Sequence, residues 1–341
     1  MRAALTTGAS VMQIVDVPEP DSPGPGQVVV RPHTVGICGS DFHIFLGELG
    51  TGYFPRVQGH ELCAIVEEVG PGVEGVEAGE RVAVWPIVPC GECYACSIGR
   101  EPVCARLRIV GVHFDGGLQE RLLLPATQVV PVGDLEPGVA AMIEPVSIAV
   151  RTIARARVAP GEHVVVIGAG PIGQAVALVA RERRASVLLV DRIPSRLERG
   201  GAIEADSILA GEDVDVAALA REWAGPDGPP VVIDATGAPE VIRSALGIVA
   251  NAGRVVIAGI SHLDVSLPIG AFTAKELDVL GTSCCSAEEF REAARIVAAR
   301  SADVKALITH EFPFERAPEA ITFAIENPEQ VMKVAVRVAS A

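Results

Sequence analysis

Val164-Val165-Val166-Ile167-Gly168-Ala169-Gly170-Pro171-Ile172-Gly173 runs an apolar strand straight into a glycine turn and the start of a helix. The glycines of this Gly-x-Gly-x-x-Gly pattern divide the task of holding a dinucleotide. Gly168 makes the tight turn, Gly170 lets backbone approach a pyrophosphate, and Gly173 lets the helix pack closely on the strand, with the helix N-terminus facing the phosphates. Such a pattern is weak alone, but Asp191 closes the next strand roughly twenty residues further on, as the motif requires. The Asp191 carboxylate would accept hydrogen bonds from an adenosine ribose and repel a 2′-phosphate, so NAD is expected over NADP. Arg192 beside it leaves room for NADP, and a plain strand-end turn residue is the bland reading of Asp191.

Working outward, the chain from about Gly161 alternates strand, turn and helix: strands at 163–167, 187–190, 231–234, 254–258 and 277–281, with a helix over 171–184. This is the rhythm of an α/β doubly wound parallel sheet. Before about residue 150 the pattern differs, with short β-branched runs at 27–31, 64–69, 81–85 and 118–124 punctuated by glycine, which reads as a compact irregular β-barrel. A helix over 288–300 and a tail over 312–338 have lost the alternation, and the tail is expected to return to the first domain.

Cys90, Cys93, Cys96 and Cys104 stand at intervals of three, three and eight. Four thiolates from one loop can surround a single zinc ion tetrahedrally, and a site with four protein ligands has no open position, so it should be structural. A pair of disulfides is the alternative, but cysteines three apart are awkward to bridge and no secretory signal precedes them.

Composition narrows the class. The chain has 341 residues, 49% hydrophobic and 21% charged, enough for two cores. A formal charge of −15 argues against a nucleic-acid partner, which would require a positive face. The start lacks an apolar signal core, and the uncharged stretch 164–180 is broken by glycines and proline, so a cytoplasmic protein without a membrane span is expected.

Cys38, in Gly36-Ile37-Cys38-Gly39-Ser40-Asp41-Phe42-His43, and His60, in Gly59-His60-Glu61, are a second candidate ligand set. A lone cysteine is usually a small buried hydrophobe, and a lone histidine a satisfied core residue. Taken together with the cysteine lobe and the glycine motif, in this order, they change the reading. The chain resembles the zinc-dependent medium-chain dehydrogenases, the alcohol and sorbitol dehydrogenase superfamily, over essentially its whole length. Gly59-His60-Glu61, Val69-Gly70, Gly79-Glu80-Arg81-Val82, Gly116-Gly117 and Glu144-Pro145 carry that resemblance, with Glu80 standing where aspartate is more usual.

The resemblance implies a GroES-like catalytic domain with a structural zinc lobe over 1–152, a Rossmann NAD-binding domain over 153–286, and a return to the catalytic domain over 287–341. It implies that Cys38, His60 and Glu144 ligate a catalytic zinc, with Glu61 in or beside the metal shell, and that Ser40 and His43 relay a proton to solvent. It extends the cofactor set to Pro171, Ile172, Arg192, Arg196, Ile260, Ser283 and Cys284, and places Lys333 near the cofactor pyrophosphate. Two zinc ions per chain and a homodimer or homotetramer follow from it, the subunits pairing along the strand at 277–281.

Local phrases at 54–57, 96–99, 111–117, 142–145 and 307–310 resemble bacterial hexonate 5-dehydrogenases acting on L-gulonate, L-galactonate or L-idonate. Arg56 and His113 are candidates to face an acid group, and both have ordinary structural readings. A neutral polyol or secondary-alcohol dehydrogenase, a zinc-free quinone reductase and a non-catalytic nucleotide-sensing scaffold are the rivals. The last two are disfavoured by the presence of Cys38, His60, Glu144, Ser40 and His43 together.

Overall fold

A computed structural model describes residues 1–200 and 203–339, the side chain of Thr51 excepted. The chain divides into two compact units, Met1–Glu144 with a return segment from Ser286, and Pro145–Cys285. The division falls inside the helix Ile143–Ala156. Pro137–Ala156 is long and apolar enough to cross a membrane by length and composition, but 78% of its apolar window is buried inside the protein.

In the second unit six parallel strands lie in the order Asp206–Leu209, Ser186–Asp191, His163–Ile167, Val231–Asp234, Arg254–Ile257, Asp278–Gly281. The third strand in sequence is therefore at one edge, and the order reverses between His163–Ile167 and Val231–Asp234. That reversal is the switch point at which doubly wound sheets bind ligands, and the glycine motif begins there. Val165, Ile167, Leu188, Val190, Val232 and Val255 pack with Ala220, Leu246 and Ile248. Val164 and Val166, equally buried, point to the opposite face. Strands buried on both faces must be apolar at every position, which is why this sheet was visible in the sequence. The strand Asp206–Leu209 was not expected. It sits at the sheet edge with three of its four residues exposed, and Asp206 and Ser207 break any apolar run.

The first unit holds a seven-stranded sheet in which Val129–Pro131, Arg81–Val84, Glu61–Val69, Gln27–Gly36, Lys333–Arg337 and Ile308–Pro313 are successive neighbours, with Leu122–Pro125 also pairing Gln27–Gly36. The return segment supplies the last two of these strands. A three-stranded sheet of Val11–Asp16, Arg2–Gly8 and Arg56–Val57 packs with it around one core that includes Val28, Val30, Leu62, Val82, Leu124, Phe314 and Val334. The hairpin Arg2–Gly8 with Val11–Asp16 also escaped the sequence reading, because its residues alternate weakly between buried and half-exposed.

Gly168 has φ +99°, a left-handed conformation, and a Cβ at Gly173 would lie 1.7 Å from the Gly168 carbonyl oxygen. The helix Pro171–Glu182 thus rests directly on the turn. Gly173→Ala should lower the unfolding free energy by roughly 3 kcal/mol, read from urea denaturation, since the helix must move off the strand to admit one methyl group.

Candidate metal centres and dinucleotide turn

Among the described residues, Cys90, Cys93, Cys96 and Cys104 are the only group of three or more potential ligands whose donor atoms all lie within 4.8 Å of one another. All four are free thiols. Their sulfurs sit at 3.5 Å (Cys93 to Cys96) and 3.8 Å (Cys93 to Cys104), far beyond a disulfide bond. Backbone N–H groups point inward: those of Cys90 and Arg106 donate to Cys104 Sγ, and that of Ala105 donates to Cys93 Sγ. The Cys96 and Ala105 N–H groups bring the Cys93 thiol down to about 6, whereas burial and its neighbouring thiols push Cys96 up to about 12. Packed this closely, the four cannot all ionise without a cation among them. The donor set fits zinc.

The second set gathers around His60. Gly59, with φ +97°, turns the chain into the strand Glu61–Val69; a Cβ there would strike Val35. Gly111 and Gly116 crowd the Gly59 backbone so closely that a Cβ on either would lie under 3 Å from it. His60 is consequently fixed by backbone contact. Cys38 precedes the short helix Gly39–Phe45, and its N–H donates to Asp41 Oδ2 at 2.9 Å. Ser40 Oγ stands 3.5 Å from His60 Nε2, and Asp41 Oδ1 is 3.9 Å from His60 Nδ1, a buried nitrogen without a hydrogen-bond partner. Burial disfavours charge on the ring, but Asp41, Cys38 and Glu144 outweigh it and hold its pKa well above the usual histidine value.

Glu144 is buried in the first turn of Ile143–Ala156. Burial, reinforced by the Glu61 and Asp41 charges, raises its carboxyl to about 7. Cys38, Asp41, Glu61 and Glu144 therefore converge on one imidazole and one ammonium with negative charge in excess. A thiolate, an imidazole and a carboxylate are a donor set suited to zinc with a position left open. These three donors are not drawn as close together as the cysteine lobe.

Lys333 has partners other than those the sequence suggested. It is 4% exposed, and its Nζ donates to Glu61 Oε1 at 2.6 Å, Glu61 Oε2 at 2.7 Å and the Ile37 carbonyl at 3.2 Å. Its three N–H donors all find acceptors within the first unit. Burial opposes its charge, yet Glu61, Cys38 and Glu144 keep its pKa above the ordinary lysine value. Glu61, buried to 1%, accepts from Lys333 with both oxygens. His43 Nδ1 is paired with Glu48. Arg56 faces Asp115 at 3.5 Å, and His113 Nδ1 accepts from the Ile109 N–H while burial, with Arg108 and Arg56 nearby, lowers its pKa.

In the second unit Asp191 Oδ2 accepts from the Ala169 N–H at 2.7 Å and Oδ1 from the Ile193 N–H at 2.9 Å, tying the strand end to the glycine turn. Arg196 Nη1 lies 3.8 Å from Asp191 Oδ2. Gly170 and Pro171 begin the helix, Ile172 is half-buried, and Arg192 is exposed. Ile260 is 62% exposed, Ser283 is exposed, and Cys284 adopts φ +46°. Cys285 is buried and accepts from Ser147 Oγ at 3.0 Å.

Asp41, Glu48, Gln58 and Thr6 escaped the sequence reading as site residues. Asp41 had a signal, standing three residues after Cys38 at a helix start. Gln58 had one in its polarity just before Gly59-His60, whereas Thr6 had none.

The alcohol dehydrogenase GroES-like domain family matches residues 24–134, and the zinc-binding dehydrogenase family matches 171–299. L-galactonate-5-dehydrogenase of Escherichia coli K12 is 32% identical over 311 residues, covering 91% of this chain and 92% of that protein. The crystal structure of a short chain alcohol dehydrogenase from E. coli CFT073, complexed with NADH, superposes with TM-score 0.90 at 32% identity over 99% of both chains. A zinc-binding dehydrogenase of Sinorhizobium meliloti 1021 bound to NADP gives TM-score 0.91 at 29% identity, again over 99% of both. This chain belongs to the zinc-dependent alcohol dehydrogenase family and is an oxidoreductase of that family.

Replacing Lys333 by Met leaves the Glu61 carboxylate buried without its partner. The expected loss is about 3–5 kcal/mol of unfolding free energy in urea. Lys333→Met with Glu61→Gln should recover part of it, because no unpaired charge then remains.

Proposed function

We propose that this enzyme transfers a hydride from a secondary alcohol of a hexonate, such as L-gulonate, L-galactonate or L-idonate oxidised at C5, to NAD. The observation that carries the reading is the acid-rich Cys38–His60–Glu144 donor set, with His60 and Glu144 buried and Cys38 half-buried, in a chain that also holds a dinucleotide turn. Zinc held by those three side chains would supply Lewis acidity toward a substrate hydroxyl, and NAD the hydride acceptor. The protein's own part is positional. Ser40 Oγ, next to His60, is placed to take up the hydroxyl proton. Glu48 holds His43 Nδ1, and the His43 ring would pass the proton on to solvent. Glu61, paired with Lys333, would lie in or beside the metal shell with its charge offset.

The hexonate assignment is supported by the similarity to L-galactonate-5-dehydrogenase and by the local phrases noted above. A neutral polyol is the second reading, favoured by the pairing of Arg56 with Asp115, which offsets its charge, and by the lowered pKa of His113, which keeps that ring neutral. Asp191 supports NAD over NADP through its charge at the strand end, with Arg196 close by as the opposing influence.

A panel of hexonates and polyols assayed with NAD should give the highest kcat/KM for a hexonate; preference for sorbitol or xylitol would overturn the substrate class. Metal analysis should find two zinc ions per chain. Cys38→Ser should lose one of them and about a thousand-fold in kcat, the scale of several kcal/mol of Lewis-acid stabilisation. One metal in fully active enzyme would overturn the ligand assignment.

Wild type should favour NAD over NADP in kcat/KM, and Asp191→Ser should narrow that ratio by at least about ten-fold. An unchanged ratio would remove Asp191 from cofactor choice.

A further inference from the structure

We propose that Thr6 and Gln58 are positioning residues for the open metal site, acting through Asp41 on the His60 ring and on the Cys38 backbone. The inference rests on the reading of Cys38, His60 and Glu144 as metal ligands. Thr6 and Gln58 are fully buried, and Asp41 is 1% exposed. Thr6 Oγ1 donates to Gln58 Oε1 at 2.6 Å. Gln58 Nε2 donates to the Asp41 carbonyl at 2.9 Å and to Asp41 Oδ1 at 3.3 Å. The other carboxylate oxygen, Oδ2, accepts from the Cys38 N–H at 2.9 Å.

The amide has one orientation that satisfies these contacts. Asp41 offers only acceptors on this side, so Nε2 must face it, and Oε1 then meets the Thr6 hydroxyl as donor. Turned over, the amide would set its oxygen against two others. Thr6 thus fixes the amide, the amide fixes Asp41 Oδ1, and Asp41 Oδ1 is the acid 3.9 Å from His60 Nδ1, which has no hydrogen-bond partner. A metal-bound histidine commonly donates its other ring N–H to a carboxylate, and loss of that support costs roughly 10–100-fold in metal affinity or activity.

The chain holds the supporting residues from outside the site. Thr6 lies in Arg2–Gly8, opposite Arg56, and Leu5 is opposite Val57. The Leu118 N–H donates to the Gln58 carbonyl at 3.0 Å. The three-stranded sheet therefore reaches the metal site through one glutamine. An apolar side chain at 58 would fill the same buried space, so packing alone gives no reason for an amide there. Its two partners do.

The test uses the full chain loaded with cobalt in place of zinc, comparing wild type, Thr6→Val, Gln58→Leu and the Thr6→Val/Gln58→Leu double variant. Visible absorption reports the ligand geometry of each site, transfer to a chromogenic chelator reports metal release, and thermal unfolding reports the fold. The double variant removes the Thr6 hydroxyl and its Gln58 acceptor together, so it should unfold at no lower a temperature than Gln58→Leu, which leaves that hydroxyl unpaired; both variants leave the Asp41 oxygens without the amide donor. Its open-site cobalt band should nevertheless shift, and that metal should leave about ten-fold faster, while release from the cysteine lobe stays unchanged. Thr6→Val should move the same band less. A folded double variant with the wild-type band and release rate overturns the positioning role. A wild-type chain that takes up cobalt only in the lobe overturns the ligand reading itself, before any variant is compared.

Discussion

The Glu61–Lys333 ion pair joins the two ends of the first unit across a single glycine. Gly36 lies in register with Glu61 on one side and with Ala335 on the other, in the central strand of that part of the sheet. A Cβ at Gly36 would stand 2.2 Å from Glu61 Oε2, so the carboxylate crosses the strand where there is no side chain. Lys333 arrives from the last strand of the chain to meet it. An unpaired buried carboxylate is among the most destabilising features a fold can carry, whereas a pair with full hydrogen bonding is tolerated. The buried carboxylate beside His60 therefore depends on the return segment being docked.

Charge would distinguish the two proposed cation sites of the first unit. The cysteine lobe is a closed set in which four sulfurs and inward backbone N–H groups leave nothing for a substrate. Around His60 the donors are chemically mixed and the surroundings carry more acid than base. Asp41 and Glu61 contribute charge there, each held by a partner of its own, Gln58 with the Cys38 N–H in one case and Lys333 in the other. On the proposed ligand sets the first site would serve stability, and the second would keep the open position that Lewis-acid chemistry requires.

Much of this was legible in the chain itself. The buried strands of the parallel sheet announced themselves because burial on both faces forbids polar residues, and the glycines at 168 and 173 because no other residue fits the turn and the helix contact. The cysteine spacing was legible for a similar reason, since one short loop can supply all four sulfurs. Edge elements were not: Asp206–Leu209 and the N-terminal hairpin are only partly buried, so their periodicity is diluted. The partner of Lys333 was not legible, because spacing along the chain does not say which acid a distant lysine will meet.

What the sequence by itself determined was the set of local geometries: which residues turn, which strands are buried, which thiols can meet, and which family the chain resembles. Those depend on neighbours within a few residues, where spacing fixes distance. Only the tertiary structure decided that Thr6, Gln58, Asp41 and His60 form one buried chain, and that Lys333 belongs to Glu61. These contacts join residues up to 272 positions apart, brought together by sheet register. The spacing of residues in sequence carries no information about such distances, because a polar side chain's partner is set by which strand lies beside it.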